Sequence, residues 1–193
     1  SLLYINPLTA RDFRDAIKSS QKDIIIELDP GLAFGTGYHP TTYTCLESLE
    51  ELMEAHMTVL DLGTGSGILT IAAIKLGAEH VTSLDIDSIA IKSAKQNLKN
   101  LGLLKHVTLS QGTLPHPQIK DQTFDIVVAN ISARAIQERA NYIVPAVSPQ
   151  GAFIASGIIN EQRDITKSAL EKAGFSTIEE RPRQDWVSLI CRL

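Results

Sequence analysis

The stretch Thr58-Val59-Leu60-Asp61-Leu62-Gly63-Thr64-Gly65-Ser66-Gly67-Ile68 decides how the rest of the chain reads. An aliphatic, β-branched run from Thr58 to Leu62 ends on a glycine cluster, and beyond it Ile68, Ile71, Ala72 and Leu76 recur at helical spacing. The predicted local structure is strand, tight loop, helix. Glycines in such a loop remove the side chains that would keep a ligand from the backbone amides, and the helix presents its amino terminus to the same point. The spacing is Gly-x-Gly-x-Gly, with Ile68 where a third dinucleotide glycine would fall, which argues against a pyrophosphate. It favours a nucleoside ligand whose amino-acid tail fills the loop. A plain βα turn with glycines for packing is the competing reading.

Outward from this loop, short β-branched runs alternate with helical patterns, the signature of a mostly parallel sheet covered by helices. Strands are predicted at Val81 to Leu84, Val107 to Leu109, Phe124 to Ala129 and Ala152 to Ala155. The run Phe124 to Ala129 is almost wholly apolar and is expected at the centre of the sheet. Between the strands lie a helix with Ile91, Ala94, Leu98 and Leu101 inward, capped by Gly102, and another with Ile136, Ala140, Ile143 and Val147, stopping at the turn Ser148-Pro149-Gln150-Gly151. A further helix ends at Gly174. The candidates Ser176 to Arg181 and Trp186 to Arg192, joined through Pro182-Arg183-Gln184-Asp185, form an antiparallel hairpin. The predicted fold is therefore α/β and Rossmann-like, a mostly parallel seven-stranded sheet with an antiparallel C-terminal hairpin and helices on both faces. Before Val59 the sequence offers a strand candidate, Ile24 to Leu28, and a helix with Leu46, Leu49, Leu52 and Met53 on one face. Residues 1–27 read as a linker or peripheral extension and residues 28–193 as the folded domain.

Strand ends in such a sheet carry the chemistry. Asp85, 22 positions beyond Gly63, stands where a carboxylate accepts hydrogen bonds from two ribose hydroxyls. Ile86 offers an apolar edge to an adenine face, as an ordinary buried isoleucine also would. Asp87 reads as the cap of the next helix. After the third strand stands Gln111-Gly112-Thr113, with no acidic residue, so adenine contacts at Thr113 fall to the backbone. Asn130 follows the buried fourth strand and either merely ends it or orients an amine through its side-chain oxygen. The stretch from Asp29 to Thr42, rich in glycine and carrying Phe34 and His39, reads as a loop that folds over a ligand. Thr41 or Thr42 either caps the helix that follows or reaches a ligand carboxylate at the glycine loop. His39 has no second ligand at metal-binding spacing, so no metal is expected.

Composition narrows the partners. With 193 residues, 44% of them hydrophobic, the chain suits one α/β domain with an enclosed cleft. A net charge of −4 and the absence of any Lys/Arg run longer than two disfavour nucleic acid. Cys45 and Cys191 sit in apolar patterns and read as reduced core residues. No stretch of 18 apolar residues and no signal region occurs, so a cytoplasmic protein without a membrane partner is expected.

The loop Asp61 to Gly67, the pair Asp85 and Asp87, and above all Pro30-Gly31-Leu32-Ala33-Phe34-Gly35-Thr36-Gly37 resemble the ribosomal protein L-eleven methyltransferase family. The resemblance runs through Val128-Ala129-Asn130-Ile131 and Ala155-Ser156-Gly157-Ile158 to Asp185-Trp186-Val187. It implies an S-adenosylmethionine methyltransferase fold. It also implies methyl transfer, with S-adenosylhomocysteine as product, to lysine side-chain and amino-terminal amines of a large-subunit ribosomal protein. Cofactor contacts would fall on Thr42, Gly63, Asp85 and Asn130, beside Gly65, Ile86 and Thr113 from the residue reading, with Asn130 positioning the amine and Phe34 and His39 on a substrate loop. Tyr38 and Ser132 depart from the family pattern beside that site. Family members carry a separate amino-terminal recognition domain, for which the residues before Leu28 are too few. The alternatives are methylation of another protein or of nucleic acid, and a nicotinamide-dependent oxidoreductase, which the glycine spacing and the lack of a catalytic His/Lys/Tyr set argue against.

Overall fold

The computed structural model describes residues 2–5, 24–28 and 39–193. Strands β1 (Leu2–Ile5) and β2 (Ile24–Glu27) pair in parallel as a small separate sheet. The main sheet has seven strands: β3 (Thr58–Leu62), β4 (His80–Asp85), β5 (Val107–Gln111), β6 (Phe124–Asn130), β7 (Val147–Ile159), β8 (Thr177–Arg183) and β9 (Trp186–Arg192). Their order is β5-β4-β3-β6-β7-β9-β8, and β9 runs antiparallel to both of its neighbours. The expected Rossmann-like sheet and terminal hairpin are thus present. β6 takes the central place, and Val127, Val128 and Ala129 on it are fully buried.

The period-two alternation of these strands separates two cores. On one face, α1 (Pro40–Leu52), α2 (Ile68–Lys75) and α3 (Ser88–Asn100) set Leu49, Ile71 and Leu98 against Val59, Val81, Val128 and Ile190. Ile26, Leu28 and Cys45 belong to this core. On the other, α4 (Ala133–Ile143) and α5 (Arg163–Ala173) set Ile136, Ile143 and Leu170 against Leu60, Val127, Phe153 and Cys191. Both cysteines are buried free thiols whose burial pushes their pKa up to about 12, so they stay protonated and inert. Among the described residues no helix is long and apolar enough to cross a membrane.

Local chemistry sets the element ends. Asp87 caps α3, its carboxylate accepting from the Ile89 amide at 2.8 Å, and Gly102 follows the helix with φ 70°. Asp87→Ala should lower stability by about 1 kcal/mol in urea unfolding, the usual cost of a lost cap. Three expectations need correction. The residues Ser148-Pro149-Gln150-Gly151 are not a turn before the fifth strand. They bulge out within β7, which pairs Val147 with Phe124, skips, and resumes with Ala152 against Ile126. Pro182 and Arg183 belong to β8, so Gln184-Asp185 alone turn the hairpin, with Gln184 at φ 56°. An edge strand tolerates Pro182 because one of its sides has no ladder partner. Finally, α1 is capped by His39 and not by Thr41 or Thr42: His39 Nδ1 accepts from the Thr41 amide at 3.4 Å.

Candidate functional site

The carboxyl ends of β3, β4, β5 and β6 open onto one cleft of about 380 Å³. Thr42, Gly63, Gly65, Asp85, Ile86, Thr113 and Asn130 all line it, although they come from five separate parts of the chain. The loop after β3 is tied to the end of β4, since the amides of Gly63 and Thr64 both donate to the Leu84 carbonyl, at 2.8 and 3.1 Å. Asp85 closes the same junction: its carboxylate accepts from the amides of Gly65 and Asp87, each at 2.9 Å. Carboxylate oxygens accept more than one bond, so Asp85 keeps lone pairs for further donors. Ile86 is 72% exposed, an unusual place for an isoleucine and one that leaves an apolar edge free in the cleft.

The glycines of the loop do more than admit a ligand. A Cβ on Gly63, whose φ is 78°, would overlap Ile131 Cγ2, so the missing side chain makes room for Ile131. Ile131 is also clamped from the other side. Gly157, with φ 83°, lies where β7 breaks register against β9, and a Cβ there would overlap the Ile131 carbonyl. Two glycines, one in the loop after β3 and one on β7, therefore fix the backbone that follows Asn130. The Asn130 side chain is held in turn, its Nδ2 donating to Thr42 Oγ1 at 3.1 Å. That leaves Oδ1 as the free acceptor of the amide.

Thr42 owes its place to a buried chain of hydroxyls beneath α1. Ser156 Oγ donates to the Thr41 carbonyl at 3.2 Å and meets Ser188 Oγ at 2.7 Å, and Ser188 meets Thr44 Oγ1 at 2.6 Å. Ser48 continues it to the Thr44 carbonyl at 2.8 Å, and Arg181 Nη1 donates to Ser48 at 3.2 Å. Buried hydroxyls so satisfied specify one seating of the helix on the sheet. His39 lies at the start of α1, its ring edge-on to Trp186 at 4.8 Å and its Nδ1 2.8 Å from Thr41 Oγ1, outside the residues lining the cleft. Phe34 lies outside the described residues, as does the loop from Asp29 to Tyr38.

Two participants escaped the sequence reading. Asp61 was read as part of the loop motif without a role, yet it is fully buried beside the cleft. Its Oδ2 accepts from Thr64 at 2.8 Å and Thr70 at 2.6 Å, while Oδ1 has no partner. Burial, opposed by those hydrogen bonds and reinforced by Asp85, pushes its pKa up to about 6. An aspartate between two leucines in a buried strand was the available signal. Arg139 lines the cleft from α4 together with Ser132 and Ala135. Their spacing is helical, a stripe beside the core stripe of Ile136, Ala140 and Ile143, and only the fold shows that it faces a ligand space. Among the described residues no group of three His, Cys, Asp or Glu side chains is placed to hold a metal.

Comparison with known proteins places this geometry. A model of the family described as "Ribosomal protein L11 methyltransferase (PrmA)" matches residues 3–193. A ribosomal protein L11 methyltransferase of Bacillus pumilus is 42% identical over 170 residues, covering 88% of this chain and 54% of that protein. One from Anoxybacillus flavithermus is 44% identical over 173 residues, covering 90% and 55%. The chain thus spans about half the length of the curated relatives it matches. A crystal structure of a ribosomal protein L11 methylase from Lactobacillus delbrueckii subsp. bulgaricus superposes with a TM-score of 0.83 at 31% identity, covering 98% of this chain and 93% of that one.

Proposed function

Because this chain belongs to the ribosomal protein L11 methyltransferase family, we propose that it transfers methyl groups from S-adenosylmethionine to lysine side-chain and amino-terminal amines of ribosomal protein L11. The observation that carries the reading is the meeting of Gly63, Gly65, Asp85, Ile86, Thr113, Thr42 and Asn130 on one cleft. The residues fit such a cofactor. Asp85 offers carboxylate lone pairs to ribose hydroxyls, Ile86 an apolar edge to a base, and the buried, unpartnered Oδ1 of Asp61 a site for the field of an ammonium group.

When bound, S-adenosylmethionine supplies an electrophilic methyl group on a sulfonium, and loss of that methyl leaves S-adenosylhomocysteine. The protein need not create a strong nucleophile, because a neutral amine already has a lone pair; it must aim that pair at short range. Asn130 does this. With Nδ2 committed to Thr42, Oδ1 accepts an amine N–H and leaves the lone pair free. A flipped amide would donate to the lone pair and consume it. Residues 28–193 form the catalytic unit in this reading, with residues 1–27 leading into it, Phe34 and His39 on the substrate side, and the cytoplasm as the setting.

Calorimetric titration with S-adenosylhomocysteine, paired with methyl incorporation into L11, RNA and DNA, tests the proposal. Counts in L11 are expected; counts only in nucleic acid, or no cofactor binding, overturn it. Asp85→Ala should weaken cofactor binding by about 1–3 kcal/mol, the cost of unpairing sheltered polar groups. Unchanged affinity would remove Asp85 from the role.

A further inference from the structure

At the end of the cleft assigned to the base, the polar side chains are a hydroxyl and a guanidinium, and the Gly112 amide is already spent on the Asp85 carbonyl at 2.8 Å. Ile86, Gly112, Thr113 and Arg139 converge there. Arg139 Nε donates to Thr113 Oγ1 at 3.1 Å and its Nη1 reaches Glu138 at 3.4 Å, which holds a guanidinium with a side chain only 27% exposed against the loop after β5. A threonine hydroxyl has one proton and two lone pairs, and a guanidinium has donors alone. Once an arginine N–H occupies a lone pair, the hydroxyl proton turns away from the cation and becomes the stronger donor. Asp85 is the only carboxylate among the lining residues, and in the cofactor assignment above its remaining lone pairs go to the ribose hydroxyls. Gln111, the last residue of β5, spends its side-chain amide on the Ile86 carbonyl at 3.1 Å and does not line the cleft.

A purine presents acceptors at its ring nitrogens and, in adenine, a donor at the exocyclic amine. The protons of the Thr113 hydroxyl and the Arg139 guanidinium match the former, and no side chain beside them is a dedicated acceptor for the latter. We propose that Thr113, set by Arg139, reads the ring acceptors of the cofactor's base and is indifferent to the exocyclic amine. Thr113 is then the specificity-determining residue at the base, and Arg139 the residue that positions it. This rests on the cofactor assignment made above and adds what that assignment leaves open, the rule by which the base is recognised.

The test needs no variant. Wild-type protein is titrated calorimetrically with S-adenosylhomocysteine and with its analogue carrying hydrogen in place of the exocyclic amine. The two affinities should agree within fivefold; a larger loss for the analogue overturns the proposal. Failure of S-adenosylhomocysteine itself to bind removes the cofactor reading instead, so the two failures are distinct. Thr113→Asp puts an acceptor beside Arg139 and should create a preference for the amine-bearing ligand of about tenfold, the worth of one hydrogen bond to a charged group. Arg139→Met frees the hydroxyl to accept, and the ratio of the two affinities should shift the same way. An arginine with only a structural role would lower both affinities by one factor and leave the ratio unchanged, which would overturn its positioning role.

Discussion

Gly157→Ala should cost about 2–5 kcal/mol of stability and abolish the amine presentation proposed for Asn130, although Gly157 does not line the cleft. A left-handed backbone penalty of about 1–2 kcal/mol adds to about 1–3 kcal/mol for overpacking. Both terms are visible in the structure: φ is 83°, and the new methyl would overlap the Ile131 carbonyl. Packed backbone cannot rotate away as a flexible side chain can, so the strand end carrying Asn130 must shift. Loss of the bond from Asn130 to Thr42 then releases the amide to flip. Urea unfolding measures the first effect. The second is read as kcat falling more than affinity for S-adenosylhomocysteine, because Asp85 lies at the end of β4 and Gly65 in the loop after β3. A variant as stable as wild type, with unchanged kcat, would show that the contact is easily relieved.

Asp61→Asn should act in opposite directions on stability and on binding. In the folded chain the Asp61 carboxyl titrates at about 6, above its ordinary value of 3.8, chiefly because it is buried. Between these values the folded protein keeps a proton that the unfolded chain has released. Stability therefore falls as pH rises from about 4 to about 6, by about 3 kcal/mol in all, and stays lower above that window. Asparagine carries no such charge, so the variant should lose most of this slope and be the more stable protein at pH 8. On the proposed cofactor assignment, the ammonium of the cofactor's amino-acid tail offsets the burial cost that the natural residue carries. The same substitution should thus weaken S-adenosylhomocysteine binding about tenfold, a charge-assisted interaction of about 1.5 kcal/mol. Thermal melts from pH 4 to pH 8, with and without ligand, measure both. A variant less stable at every pH, or one binding ligand unchanged, would contradict the account.

The parts of the fold legible in the sequence are those fixed by local periodicity. The run Ile126-Val127-Val128-Ala129 can only be a strand buried on both faces, and the alternation of such runs with helical stripes leaves few ways to layer them. Asp85 and Asn130 were legible for the same reason: each ends a strand, and a polar side chain at that point faces the crevice. Pairing register is not written locally. Ser148-Pro149-Gln150-Gly151 has turn chemistry, and the chain does bulge there, but whether it turns back or resumes the same strand depends on β6 lying alongside. The strand at Leu2–Ile5 depends likewise on β2, and its own sequence shows only weak periodicity. His39 took the cap from Thr41 and Thr42 because Pro40 fills the first helical position and moves the boundary back by one residue. Asp61 and Arg139 were hidden for another reason. Their roles lie in what surrounds them, a desolvated strand and a neighbouring loop, and not in any spacing.

The hydroxyl chain beneath α1 also constrains the order in which the protein becomes competent. Ser188 sits on β9, more than a hundred residues beyond α1 in the chain, yet it bonds Thr44 on that helix. β9 must moreover slot between β7 and β8, so the sheet cannot be finished by adding strands in the order of synthesis. A nascent chain halted before Trp186 has the glycine loop, Asp85 and Asn130 already made but no seat for Thr42. Thr42 is therefore seated late in biosynthesis, when the β8–β9 hairpin closes on a helix translated long before.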